Sequence, residues 1–259
     1  MVNALKQFIL GTLLVCSTVS GVSCSRSDQS TREAENTLVL GLSADYPPFE
    51  FKKNGDIVGL DVDVARAIAR DLNLSLSIQD MDFSALIPSL QSGRIDFVMS
   101  GMTMTEERKK NVDFSHLYFT ASFAILVDQA SPFAKEQDLQ GKKVGAQLGS
   151  TMEKYAREKA KTFSGMQIVA LSKNPMLIQE LKSGRIDGVI SEEVQATSFI
   201  EANPSLKQVR LSASGDGYAI AFAKSNSKSA ALREKVNAAL EKLKASGELD
   251  QIKTKWLGK

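Results

Sequence analysis

Hydrophobic and polar positions alternate between two periods along this chain. Thr37 to Ser43 is an apolar run with strand character. Pro47 and Pro48 follow, and because proline brings no donor to a central ladder the segment Ala44 to Glu50 is expected to be a loop. Asn54-Gly55-Asp56 carries hairpin-turn chemistry. Leu60, Val64, Ile68 and Leu72 then recur at helical spacing with Ala65 and Ala69 beside them, and the helix closes into a strand at Leu74 to Ile78. Strand, loop, helix, strand is the βαβ pattern of a parallel sheet. A second start lies at 141–149. There a short strand ends at Gly149, Ser150 and Glu153 form a capping box, Ile168 to Leu171 is the next strand, and Asn174-Pro175 offers an N-cap and a first-turn proline.

The segment 86–100 returns as 177–191, identical at ten of fifteen positions. In both copies leucines four apart mark a helix face, Gly93 or Gly184 stands where a left-handed C-cap is needed, and an apolar run follows. The chain thus contains one helix, stop and strand unit twice. Tyr118 to Val127 and Gly217 to Ala223 are continuous apolar runs, read as two crossings between lobes. Leu232 to Trp256 reads as one or two helices returning to the first lobe. Residues 37–121 with 219–259 are expected to form one lobe and 122–218 the other, with the crossings as hinge. Ligands in α/β sheets bind beyond the carboxyl ends of strands. The first repeat leads there into Arg108 and the second into Glu192 and Glu193, so a cation on one wall would face an anion on the other, which suits a small zwitterion.

Composition narrows the chemistry. With 32 Lys+Arg against 30 Asp+Glu among 259 residues, and no basic stripe, nucleic acid is not an expected partner. Residues 1–23 carry Lys6 alone as a charge, then an apolar stretch and a small-residue exit, so they read as a secretory signal peptide. Gly21-Val-Ser-Cys24 resembles a bacterial lipobox, in which Cys24 is lipidated; the usual leucine is Gly21 here, which leaves simple cleavage and soluble release as the alternative. Residues 24–36 then form a polar tether. Cys16 and Cys24 are the two cysteines, so the folded part has no thiol, and His116 is the one histidine, read as a surface or hinge-edge residue. No catalytic triad, metal cluster or cofactor motif can be assembled.

The stretches 44–51 (ADYPPFEF), 58–63 (VGLDVD), 86–96, 101–108 (GMTMTEER), 112–115 (VDFS) and 139–145, with the ending after Trp256, closely resemble the polar amino-acid family of bacterial extracellular solute-binding proteins. The resemblance runs from about Thr37 to Lys259. It implies a type II periplasmic-binding-protein fold, α/β, whose two lobes each hold a mixed, mostly parallel sheet flanked by helices. It further implies an exported monomer in the periplasm, anchored to the membrane through lipid alone, that hands a free amino acid to the permease subunits of an ABC importer.

Carried across, Arg108 is the carboxylate clamp, since a guanidinium offers two parallel donors, with Thr103 and the backbone around Ser100 and Gly101 assisting. Thr105 caps the helix on which Arg108 stands. Glu192 takes the α-ammonium in place of the family's usual aspartate. Thr151 offers a helix start to the carboxylate and Gln147 belongs to the same loop. Tyr46 and Phe83 match the aromatic walls around the ligand side chain. Members that hold a cationic side chain often have an acid at the position of Ser43, where it is missing here; Asp45 or Glu50 could replace it. Arginine is the favoured ligand and glutamine the next. The alternative is a prephenate-type dehydratase on the same fold, whose diacid substrate would suit an anion on one wall poorly.

Overall fold

The computed structural model describes residues 36–214, 217–224 and 226–258. The expected signal segment, Cys24 and the tether as far as residue 35 lie outside the described residues. In chain order the strands are β1 Thr37–Leu42, β2 Asp45–Tyr46, β3 Glu50–Lys53, β4 Asp56–Val58, β5 Ser75–Asp80, β6 Phe97–Val98, β7 Val112–Phe119, β8 Ser122–Asp128, β9 Lys143–Gln147, β10 Gln167–Leu171, β11 Gly188–Glu192, β12 Leu206–Ser214 and β13 Tyr218–Ala223. They make a sheet of order β5-β1-β6-β13-β7, a second of order β10-β9-β11-β8-β12, and the small meander β2-β3-β4.

The two large sheets are built alike. In the first, β1 pairs in parallel with β5 and β6 while β13 runs antiparallel against β6 and β7. In the second, β9 pairs in parallel with β10 and β11 while β8 runs antiparallel against β11 and β12. The chain passes between the sheets from β7 to β8 and returns from β12 to β13. The apolar run Tyr118 to Val127 is therefore two strands interrupted at Thr120 and Ala121, and the interruption is the first crossing. The helices Ser227–Ala245 and Glu248–Leu257, separated by the left-handed Gly247 at φ 75°, pack on the helix Leu60–Asp71 and the first sheet.

The repeat explains the likeness. A Cβ on Gly41 of β1 would collide with the Ile95 side chain and lie 3.4 Å from Leu86; one on Gly145 of β9 would lie 2.8 Å from both Ile186 and Leu177. Leu86 and Leu177, like Ile95 and Ile186, are equivalent positions of the duplicated segment. Each copy thus seats its leucine and isoleucine on a glycine of the strand next to its sheet's edge, close enough that no larger residue fits. Both copies end their helices at a glycine with φ near 70°, Gly93 at 72° and Gly184 at 69°.

Local signals were obeyed with small shifts. Asn54 and Gly55 both take positive φ, 53° and 92°, which turns β3 into β4 with the twist hairpins require. Ser150 Oγ accepts from Glu153 N, but the Glu153 carboxylate reaches Gly149 N rather than closing back on Ser150. Lys173, not Asn174, is the N-cap of the helix Asn174–Lys182, and the Asn174 amide instead donates to Asp45.

Gly59 enters the helix Leu60–Asp71 at φ 139° and ψ 178°, a region open to glycine alone, and a Cβ there would overlap the Phe49 carbonyl. Gly59→Ala is expected to destabilise the protein by about 3 kcal/mol, read as a drop in the urea midpoint at unchanged m-value. An unchanged midpoint would mean that this chain entry is not held by the fold.

Candidate functional site

Loops at the carboxyl ends of β1, β6, β9 and β11 converge on one crevice between the two sheets. It is lined from the first lobe by Ser43, Tyr46, Glu50, Phe83, Ser100, Gly101, Thr103 and Arg108, and from the second by Gln147, Ser150, Thr151, Met152 and Glu192. Side chains from the two walls meet so closely that the crevice keeps room for about one water. The lobes are therefore closed on each other. Of the twelve residues expected from sequence to bind the ligand, all but Asp45 line the crevice. Ser150, read only as a helix cap, and Met152, in the first helical turn, are additions; their one sequence signal is adjacency to Thr151.

The floor of the first lobe rests on two buried acids. Ser100 Oγ accepts from Ser43 N at 3.0 Å and donates to Glu50 Oε1 at 2.7 Å. Gly101 N donates to Asp61 Oδ2 at 2.8 Å, and Tyr118 OH donates to the same oxygen at 2.9 Å. Burial pushes the Glu50 carboxyl well up, helped by the neighbouring Asp61, and raises Asp61 to about 6. Gly101 adopts φ 51°, and a Cβ there would sit 3.0 Å from the Tyr46 ring, so the backbone passes directly under that aromatic. Asp61 was not singled out from sequence, although an acid beside the apolar stripe of its helix is a signal that could have found it.

Arg108 stands on the short helix Glu106–Lys109, capped by Thr105, whose hydroxyl accepts from Arg108 N at 3.2 Å. Its guanidinium lies 5.3 Å over the Phe83 ring and donates to Thr103 O at 2.9 Å and across the cleft to Gly149 O at 3.1 Å. Burial lowers its pKa to about 10, against the pull of Glu192. Glu192 ends β11 and is buried. Tyr46 OH donates across the cleft to Glu192 Oε2 and lies 3.1 Å from Tyr218 OH, while Glu192 Oε1 has no hydrogen-bond partner. Burial raises Glu192 to about 8, with the Tyr46 hydrogen bond and the Arg108 charge opposing. Glu193, the neighbouring acid, turns away to pair with the exposed Arg210. Thr151 begins the helix Thr151–Ala160 on the second wall, its hydroxyl 3.4 Å from that of Thr103, so first-turn N–H groups face the crevice mouth near Arg108.

Asp45 is placed otherwise than a direct ligand would be. Its Oδ1 accepts from Asn174 Nδ2 at 2.9 Å and Gln147 Nε2 at 3.3 Å, and its Oδ2 accepts from Ser43 Oγ at 3.3 Å. It stands behind Ser43, because successive residues of β2 face opposite sides and Tyr46 takes the crevice. Glu50 does line the crevice, but with Oε1 engaged by Ser100. Among the described residues no group of acids, histidines or cysteines could hold a metal ion.

A clamp of two like-built lobes, with a cation and two aromatics on one face and a buried acid on the other, defines a receptor for a small zwitterion. The sequence profile of the bacterial extracellular solute-binding proteins, family 3, matches residues 38–259, and the chain belongs to that family. It is 38% identical over 255 residues to the arginine-binding extracellular protein ArtP of Bacillus subtilis, covering 97% of this chain and 98% of that one. Among solved structures, an ancestral arginine-binding protein bound to arginine is 45% identical with a TM-score of 0.81, over 85% of this chain and 98% of the other. The same kind of protein bound to glutamine also superposes with a TM-score of 0.81 at 45% identity, over 86% and 99%. The fold is accordingly the type II periplasmic-binding fold, two lobes joined by a two-strand hinge.

The raised acids fix the pH response. Glu192 moves from 4.5 to about 8 and Asp61 from 3.8 to about 6, so both hold their proton more tightly folded than unfolded. Their contribution to stability is full below the unfolded values and is lost as pH rises through about 6 and then about 8. Urea unfolding without added amino acid is expected to show stability falling from about pH 5.5 to pH 8.5, with Glu192→Gln making the upper part of the fall shallower while the raised Glu50 keeps its share. Stability that is flat or rising over this window would contradict the burial of neutral carboxyls.

Proposed function

We propose that this chain is the extracytoplasmic substrate-binding component of an ABC importer, capturing a polar or basic L-amino acid, arginine first and glutamine next, between lobes that divide near residues 121 and 218. The observation that carries the reading is the opposition of Arg108 and Glu192 across one crevice. An α-carboxylate meets the Arg108 guanidinium, the Thr103 hydroxyl and the helix start at Thr151; the α-ammonium meets the unpartnered Glu192 Oε1. The side chain lies between Tyr46 and Phe83 and points toward Ser43.

A crevice with room for about one water admits an amino acid only when the lobes part, so capture is a hinge motion at the two crossings. On entry the ligand carboxylate replaces the carbonyls of Thr103 and Gly149 at Arg108, and the ammonium gives Glu192 a countercharge. The names of the relatives favour arginine, and the pair of ancestral complexes supports glutamine as second choice. The dehydratase alternative is disfavoured by the wall itself: Arg108 is the one cation among the lining residues, and a diacid would place its second carboxylate against Glu192. The protein binds without turnover, passes its cargo to membrane permease subunits, acts as a monomer, and is exported and held at the membrane through lipid on Cys24.

A thermal-shift panel of the twenty amino acids tests the class of ligand, since at about 1,000 times Kd a true ligand adds about 4 kcal/mol. Stabilisation by arginine is expected, and a panel without any stabilising amino acid would refute the reading. Titration calorimetry should show Arg108→Lys binding much more weakly although the charge is kept, because the bidentate geometry is lost. Glu192→Gln should lose about 2–5 kcal/mol of binding while Glu193→Gln, on the Arg210 side, changes little. Equal losses in the two variants would place the ammonium elsewhere.

A further inference from the structure

Lys173 belongs to the second lobe, at the entry to the helix Asn174–Lys182, but its ammonium is inserted into the first. It lies 3.2 Å from Asp82 Oδ1, 3.3 Å from Ser43 Oγ, 3.3 Å from Met81 O, 3.6 Å from Asp45 Oδ2 and 3.9 Å from Asp80 Oδ1. Of the five, the Ser43 hydroxyl lines the crevice where a ligand side chain would terminate, and the other four oxygens gather behind it around the same ammonium. The acid nearest that end, Asp45, is therefore already engaged by a cation of the protein as well as by the Gln147 and Asn174 amides. Lys52 neutralises Asp80 from outside at 2.7 Å. Three carboxylates facing two ammoniums leave one net negative charge at the side-chain end; without Lys173 there would be two.

We propose that Lys173 is a specificity-determining residue: a built-in cation that holds down the negative charge at the side-chain end of the crevice, so that a neutral amide side chain is accepted alongside a guanidinium. This rests on the amino-acid-binding reading above, with the side chain directed toward Ser43. The ammonium stands in hydrogen-bond range of the hydroxyl a ligand cation would reach, in a half-buried setting where charges a few ångströms apart are poorly screened. Removing it strengthens the field on a cationic side chain and leaves an uncharged one nearly indifferent. Because Lys173 also ties the lobes together, its loss weakens closure around every ligand equally, and that effect cancels in a ratio of affinities.

The test is calorimetric titration of arginine and glutamine into the wild type, Lys173→Met, Lys173→Arg and Asp82→Asn. The preference for arginine over glutamine, as a ratio of Kd values, is expected to grow about tenfold in Lys173→Met, about 1.4 kcal/mol. It should stay within about twofold of wild type in Lys173→Arg, which keeps the charge, and shrink in Asp82→Asn, which removes one acid from the same nest. A ratio unmoved in Lys173→Met, with both affinities lowered together, would show a lobe tie and nothing more, and would overturn the assignment; so would a ratio that rises in Asp82→Asn. A wild type that binds neither amino acid sinks the function reading itself and this inference with it.

Discussion

The seating of two large aliphatic side chains on a bare glycine of an interior strand in each sheet is the constraint from which the rest follows. Leu86 and Ile95 close onto Gly41, and Leu177 and Ile186 close onto Gly145. A packed interior tolerates neither the extra methyl on the strand nor a void beneath the helix. That contact fixes the helix against the sheet, hence where each repeat's strand ends and what its following loop presents. In the first lobe the loop delivers Ser100 to Arg108, in the second Glu192. One packing solution used twice places opposite charges on facing walls.

Those charges are expensive where they stand. Arg108 and Glu192 are both shifted toward their neutral forms by burial, and the site meets the cost with partial partners: two carbonyls for the guanidinium, one tyrosine hydroxyl for the carboxyl. On the proposed reading a zwitterion would offer each a full countercharge together with the hydrogen bonds still open, and so would bind the closed form in preference to the open one. Beneath, the buried Glu50 and Asp61 hold Ser100 and Gly101 in place. They belong to the scaffold of the site, and burial side by side raises both carboxyls above their ordinary range.

Sequence carried most of this because the informative signals are local. The duplicated segment, the Asn54-Gly55 turn, and the caps at Thr105 and Ser150 each involve residues within a few positions, and the family motifs place Tyr46, Phe83, Arg108 and Glu192 at ends of elements. What stayed hidden depends on distance along the chain or on a single pleat. Lys173 meets acids 91 to 128 residues earlier, across the cleft, and no local pattern announces that. Asn174 reads as a cap from sequence, whereas in the fold it is the first helical residue and its amide reaches Asp45, 129 positions earlier. The break at Thr120 and Ala121 is marked only by the small, weakly polar Thr120 and Ser122 inside an otherwise apolar stretch, too faint a trace to end one strand and begin another. Asp45 and Tyr46 are adjacent in a two-residue strand, so one of them had to face away from the crevice.

The central claim is that one ligand touching both walls draws two lobes together. Small-angle X-ray scattering on the protein with and without saturating arginine measures this directly. A smaller radius of gyration with arginine, absent in Glu192→Gln at the same concentration, is the expected result. Arginine bound tightly, by an independent titration, with the scattering profile of the open form unchanged would contradict the clamp.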